Sequence, residues 1–142
     1  ALFGIVPGVI TGILTNATLE LFTGFELESL PWGVCSAATA IIVGTFIRAG
    51  RFRNALDGLW ASLAVTLANS LLGAVIASVL YDGITGVPLD YVVTALVASG
   101  RRIVTAAFLA RIPSNLVDKT IAVFAALYVY TRIVRPVGEK EE

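Results

Sequence analysis

Gly58-Leu-Trp-Ala-Ser-Leu-Ala-Val-Thr-Leu-Ala-Asn-Ser-Leu-Leu-Gly-Ala-Val-Ile-Ala-Ser-Val-Leu-Tyr81 contains no charged residue. A helix needs about 20 mainly apolar residues to cross a hydrocarbon layer of about 30 Å, and this run is long enough. Along it Ser62, Thr66, Ser70, Ala74 and Ser78 recur every four residues, as do Asn69, Gly73 and Ala77. Small and polar residues on one broad helical face are the mark of close helix–helix packing in lipid. The stretch therefore reads as a membrane-spanning helix that has neighbours.

The rest of the chain repeats the pattern. Ala1–Leu19, Ser29–Ile47 and Thr120–Thr131 are also free of charge. The 142 residues are 57% hydrophobic and 14% charged, with a mean hydropathy of +0.88. Soluble domains lie near 45–50% and about 25%. The expected fold is an all-α integral membrane helical bundle, one domain with four to five transmembrane helices. Spans are predicted at Leu2–Phe22, Pro31–Arg48, Asp57–Tyr81 and Asn115–Arg132. The chain opens on Ala1 already inside a hydrophobic run, so a further helix is expected ahead of it.

The segment Leu89–Ala110 has the length of a span but carries Gly100-Arg101-Arg102 in its middle. Two arginines at mid-bilayer would cost about 2.5–3.5 kcal/mol each on insertion scales. Lysine and arginine also concentrate on the cytoplasmic side of membrane proteins. If Leu89–Ala110 crosses, Arg48, Arg51 and Arg53 lie opposite Arg132 and Arg135, and the rule fails at one end. If the segment is re-entrant or lies along the outer interface, both basic clusters and the C-terminus are cytoplasmic. Glu26, Glu28, Asp82 and Asp90 then face outward. The second arrangement is preferred, with Arg111-Ile-Pro113-Ser114 as the break before the last span.

Composition excludes several chemistries. The chain has no histidine, so it holds neither a Ser-His-Asp nor a Cys-His centre, nor a histidine-based zinc or haem site. Its one cysteine, Cys35, sits in an apolar run and reads as a small buried hydrophobe. Ten basic residues balance ten acidic ones, so no charge excess points to nucleic acid. Gly4, Gly8 and Gly12 are four apart, the wrong spacing for a phosphate-binding loop, and no Lys-Ser/Thr pair follows. They form instead a stripe where another helix can approach closely. Asp82 and Asp90 make a weak acid–base pair, because carboxylates in loops are usually solvated. No catalytic residue, metal site or cofactor is expected, and the chain is not read as an enzyme.

The remaining polar groups converge on the outer side of the preferred topology. Asn16 and Glu20 lie near the outer end of the first span, and Asn69 about halfway along the third. Arg101, Asn115, Asp118 and Lys119 lie in the outer segment or at the start of the last span. Ionisable groups at membrane depth are functional candidates by default. These residues, with Trp32 beside the acidic loop as a cap, are expected to bind a ligand in a pocket that opens outward. Blander roles compete. Asn115-Leu-Val-Asp118 has the form of a helix cap with an acid in the first turn. Lys119 can snorkel or pair with Glu20 or Asp118, and arginines at an outer surface can meet lipid headgroups.

Leu2-Phe-Gly-Ile-Val-Pro-Gly-Val-Ile-Thr-Gly12 with Thr15-Asn16 resembles the start of a central helix in the substrate-binding S components of energy-coupling-factor vitamin transporters. Asp82-Gly-Ile-Thr-Gly86 and Pro113-Ser-Asn-Leu-Val-Asp-Lys119 are similar to stretches of S-component-like proteins and of related bacterial sensor domains. The resemblance covers most of the chain through short, loose motifs. It implies a six-helix membrane subunit that binds a vitamin or cofactor precursor and works with a coupling membrane subunit and ATPase subunits. A transmembrane ligand sensor and a structural subunit of a membrane complex are the alternatives.

Overall fold

The computed structural model describes residues 2–23 and 30–134. Glu26 and Glu28 of the expected outer loop, Arg135 and the tail from Gly138 lie outside them. Helix α1 covers Ile5–Thr23, and a single 3-10 turn, Leu30–Trp32, leads into α2, Gly33–Arg48. Helix α3 covers Ala55–Leu80, α4 Asp90–Ala98 and α5 Ile103–Val129, which continues as a π turn to Val134. The described residues form no strand. The protein is an all-α membrane helical bundle, and among the described residues 4 helices are long and apolar enough to cross a bilayer: Ile5–Phe22, Leu30–Arg48, Ala55–Leu80 and Ile103–Val134.

Local sequence explains where these helices start and stop. The Asn54 side chain accepts a hydrogen bond from the Asp57 N–H (2.9 Å), and the Asp57 carboxylate accepts one from the Arg53 N–H (3.0 Å). The first bond satisfies an otherwise orphaned donor at the start of α3, and the second ties the residue before the cap to the first turn. Helix α2 ends where Gly50 takes φ +69°. There the Gly50 N–H bonds the Ile47 carbonyl and the Arg51 N–H bonds that of Phe46, a Schellman closure.

The same closure corrects two expected boundaries. Leu89–Ala110 is not one segment, and the last span does not begin at Asn115. Gly100 has φ +88°, its N–H bonds the Val97 carbonyl (2.9 Å), and the Arg101 N–H bonds that of Leu96 (3.1 Å). Helix α4 therefore stops there, after 9 residues, or about 14 Å. That is too short to cross a bilayer. Helix α5 then runs straight through Pro113. In a bundle within lipid, neighbouring helices and hydroxyls can re-satisfy the backbone that a proline disturbs. Here Pro113 frees only the Leu109 carbonyl from its helical donor, and α3 packs along α5 on both sides of it. Asn115 and Asp118 thus lie in mid-helix rather than at a cap.

Packing is inverted relative to a soluble protein. Much of the core is made of small residues, among them Ala61, Ala74, Ala77, Ala106 and Ala107, all fully buried. Leu67, Leu71, Val75 and Val79 point outward from the same helix α3. Lipid is as apolar as leucine, so large side chains gain little by facing inward, and small ones let backbones approach. Gly12 shows the principle: a Cβ there would lie 2.9 Å from the Ser36 Cβ on α2. Helices α3 and α5 run antiparallel, with Gly58 against Leu127 at one end and Ala74 beside Ala106 at the other.

The two ends of the bundle differ. At one, the completely buried Phe52 ring packs with Val43, Val65 and Leu127 and lies 5.9 Å from the Tyr130 ring, closing the bundle. Arg48, Arg51, Arg53 and Arg132 gather at this end, because α2 finishes, α3 starts and α5 finishes there. At the other end the chain leaves α3, passes through Tyr81–Leu89 and α4, and returns beside its starting point. Gly83 touches Ile103.

Candidate functional site: a polar cavity at one end of the bundle

Three asparagines stitch the four spans together in chain order. The Asn16 amide donates to the Ser36 hydroxyl (3.0 Å), joining α1 to α2. The Asn69 amide donates to the Thr39 hydroxyl (2.9 Å), joining α3 to α2, and the Asn115 amide to the Ser70 hydroxyl (3.1 Å), joining α5 to α3. Such bonds are worth about 0.6 kcal/mol each on average within a membrane. Their placement matters more: they set the four helices around a common cavity.

That cavity has a volume of about 740 Å³, inside the range of about 300–1,000 Å³ usual for small-molecule sites. All four spans and the coil before α4 line it. Asn16, Trp32, Asn69, Asn115 and Lys119 stand at its wall, so five of the eight residues expected to bind ligand come together. Glu20, Arg101 and Asp118 do not line it. Glu20 is buried and accepts the Leu30 N–H (3.0 Å), which ties α1 to the turn before α2. Arg101 is carried to the surface by the Gly100 turn. The Asp118 side chain is 65% exposed and pairs with its neighbour Lys119.

Asp90 has a structural task rather than a catalytic one. Its carboxylate accepts the Thr85 N–H (2.8 Å), the Thr85 hydroxyl (3.2 Å) and the Val87 N–H (3.1 Å). These bonds fix the coil Thr85–Val87 as one wall of the cavity. Asp82 is exposed in the turn after α3 and does not line it.

The residue that dominates the site is one that sequence reasoning missed. Arg111 is 5% exposed and lines the cavity from the middle of α5. Its Nη1 donates to the Ala107 carbonyl (3.2 Å), and its guanidinium lies 5.9 Å from the centre of the Trp32 ring. Gly73 makes room for this stack. A Cβ there would come within 3.3 Å of both Arg111 and Trp32. No carboxylate among the described residues reaches Arg111 at ion-pair distance. Asp90 spends its oxygens on the coil. A cation–π contact is worth up to about 2 kcal/mol when desolvated and offsets part of the cost of carrying an arginine inside the bundle. One further group is incomplete. Asn69, 6% exposed, has its amide bonded but its Oδ1 without a partner among the described residues.

Pro113 hid this arrangement. With a break at Arg111–Ser114, Arg111 reads as a loop residue. With α5 continuous, Arg111, Asn115 and Lys119 are four apart and share one helix face, a spacing that was visible in the sequence. Cys35 and Ser36 on α2 and Ser114 on α5 complete the polar wall and carried no signal of their own. Comparison with family models, curated proteins and solved structures finds no match to the chain.

Proposed function

We propose that this protein is a membrane-embedded binding subunit for a polar small molecule, which it takes up from the outer side of the membrane. The observation that carries the reading is the cavity itself, roomy and polar, walled by all four spans at the open end of the bundle. Such a volume held by helices within lipid is costly to maintain unless something occupies it. The arginine clusters at the closed end support a cytoplasmic orientation for that end by the positive-inside rule, which turns the cavity outward.

The resemblance to S components of energy-coupling-factor transporters supports import of a vitamin or cofactor precursor as the purpose. Nothing in the sequence resembles a nucleotide-binding loop, so inward release in this reading depends on a coupling subunit and ATPase subunits. A structural-subunit reading has one observation in its favour: the amides of Asn16, Asn69 and Asn115 are all committed between helices.

Native mass spectrometry of gently extracted protein separates the two. The importer reading expects a co-purifying small molecule, released on unfolding, together with partner subunits. Partner subunits with no small molecule, even after the protein is offered extracts of its source cells, would favour the structural reading.

A further inference from the structure

We infer that the cavity recognises an oxyanion, a carboxylate or phosphate group, through Arg111, with a neighbouring N–H or O–H of the same molecule meeting the Asn69 Oδ1. The inference rests on the reading of the cavity as a ligand site and adds the chemistry of the ligand. Arg111 presents a planar fork of donors, of which the described residues accept only one, through the Ala107 carbonyl. It lines the cavity while 95% hidden within the protein, so its open N–H groups face the cavity rather than bulk water. No aspartate or glutamate is among the residues that line that cavity, whereas Arg111 and Lys119 both are. Lys119 is already paired with Asp118, which leaves Arg111 as the cation in need of a partner.

A guanidinium fork matches carboxylate and phosphate oxygens in pairs, with two parallel bonds. Trp32 lies over the same guanidinium at 5.9 Å, and the Asp90 oxygens are taken up by Thr85 and Val87. Asn69 stands one turn before Gly73, against which Arg111 rests, so the two residues share one side of α3, and the Asn69 Oδ1 is buried without a partner among the described residues. A molecule with an acid group beside a donor satisfies both.

The protein carries two tryptophans, Trp32 at the cavity and the outward-facing Trp60. With Trp60→Phe, Trp32 alone reports. The test is a titration of its emission with sodium acetate and with sodium phosphate, against sodium chloride at equal ionic strength, in phosphatidylcholine vesicles. A second arm replaces part of the lipid with phosphatidylglycerol. The expected result is a saturable change with an oxyanion but not with chloride, at least tenfold weaker in Arg111→Gln. Arg111→Lys, which keeps the charge and loses the fork, should be intermediate, and it carries the test if Arg111→Gln does not insert. An Arg111-dependent response to phosphatidylglycerol alone would uphold the oxyanion and place it on a lipid headgroup, against the soluble-ligand reading. Equal responses to chloride and oxyanions, or an unaltered response in the folded Arg111 variants, would overturn the inference. So would a co-purified soluble ligand held equally well by wild type and Arg111→Gln, which would leave the binding-subunit reading standing.

Discussion

Single polar atoms decide this structure more than single hydrophobic ones. Ser70 and Asn115 are the pair that fastens α5 to α3 beside the cavity, and the Asn115 carbonyl lies 3.4 Å from the Thr66 hydroxyl. A double-mutant cycle with Ser70→Ala and Asn115→Ala should give a coupling of about 0.6 kcal/mol and no more than about 1.7, measured by denaturation in mixed micelles. Strict additivity would mean that the contact contributes nothing. Asn115 and Asn69 each commit one of two amide N–H groups between helices, whereas Asn16 commits both, to Ser36 and to the Gly12 carbonyl. The asparagines therefore build the cavity at least as much as they line it. At this scale the sequence was partly legible. Asparagine in an apolar helix stands out whatever its partner, so Asn16, Asn69 and Asn115 were singled out. Arg111 was passed over because its meaning depends on whether the helix around it continues.

Elements were more legible than sites, and for a physical reason. A charge-free run closed by a basic turn has one good solution in lipid, and α1, α2 and α3 follow the predicted spans to within three residues at each end. The last part of the chain failed because Pro113 was treated as it would be in water. A proline usually breaks a soluble helix, but here α5 continues through it, packed along α3. The true stop was Gly100, with a residue pattern any helix end can carry. The expected Gly4, Gly8 and Gly12 stripe is shorter than predicted, because Gly4 lies ahead of α1 at φ +123°, and Gly12 makes the second claim at this scale. Gly12 meets the Ser36 backbone and side chain, so Gly12→Leu should part α1 from α2 and break the Asn16–Ser36 bond. Thermal unfolding in detergent should fall by several degrees, while Ile10→Ala, on an outward position 52% exposed, should change little. Equal behaviour of the two variants would put the stripe in lipid.

The whole molecule is asymmetric along the membrane normal. One end is sealed by Phe52 and carries the arginines; the other is hollow, polar and fenced by a coil that Asp90 holds in place. Overall class was readable from the sequence, since 57% hydrophobic residues arranged in long charge-free runs suit a bilayer better than water. The hollow was not, because a cavity is a property of how four helices meet. The central claim is that this hollow is a binding site open to the outside. Cys35, the only cysteine, lines it and is half-buried, so the native protein carries its own probe. A small membrane-impermeant methanethiosulfonate should modify Cys35 in intact cells, and markedly more slowly in sealed inside-out vesicles. Modification only from the cytoplasmic face, or from neither face, would contradict the account.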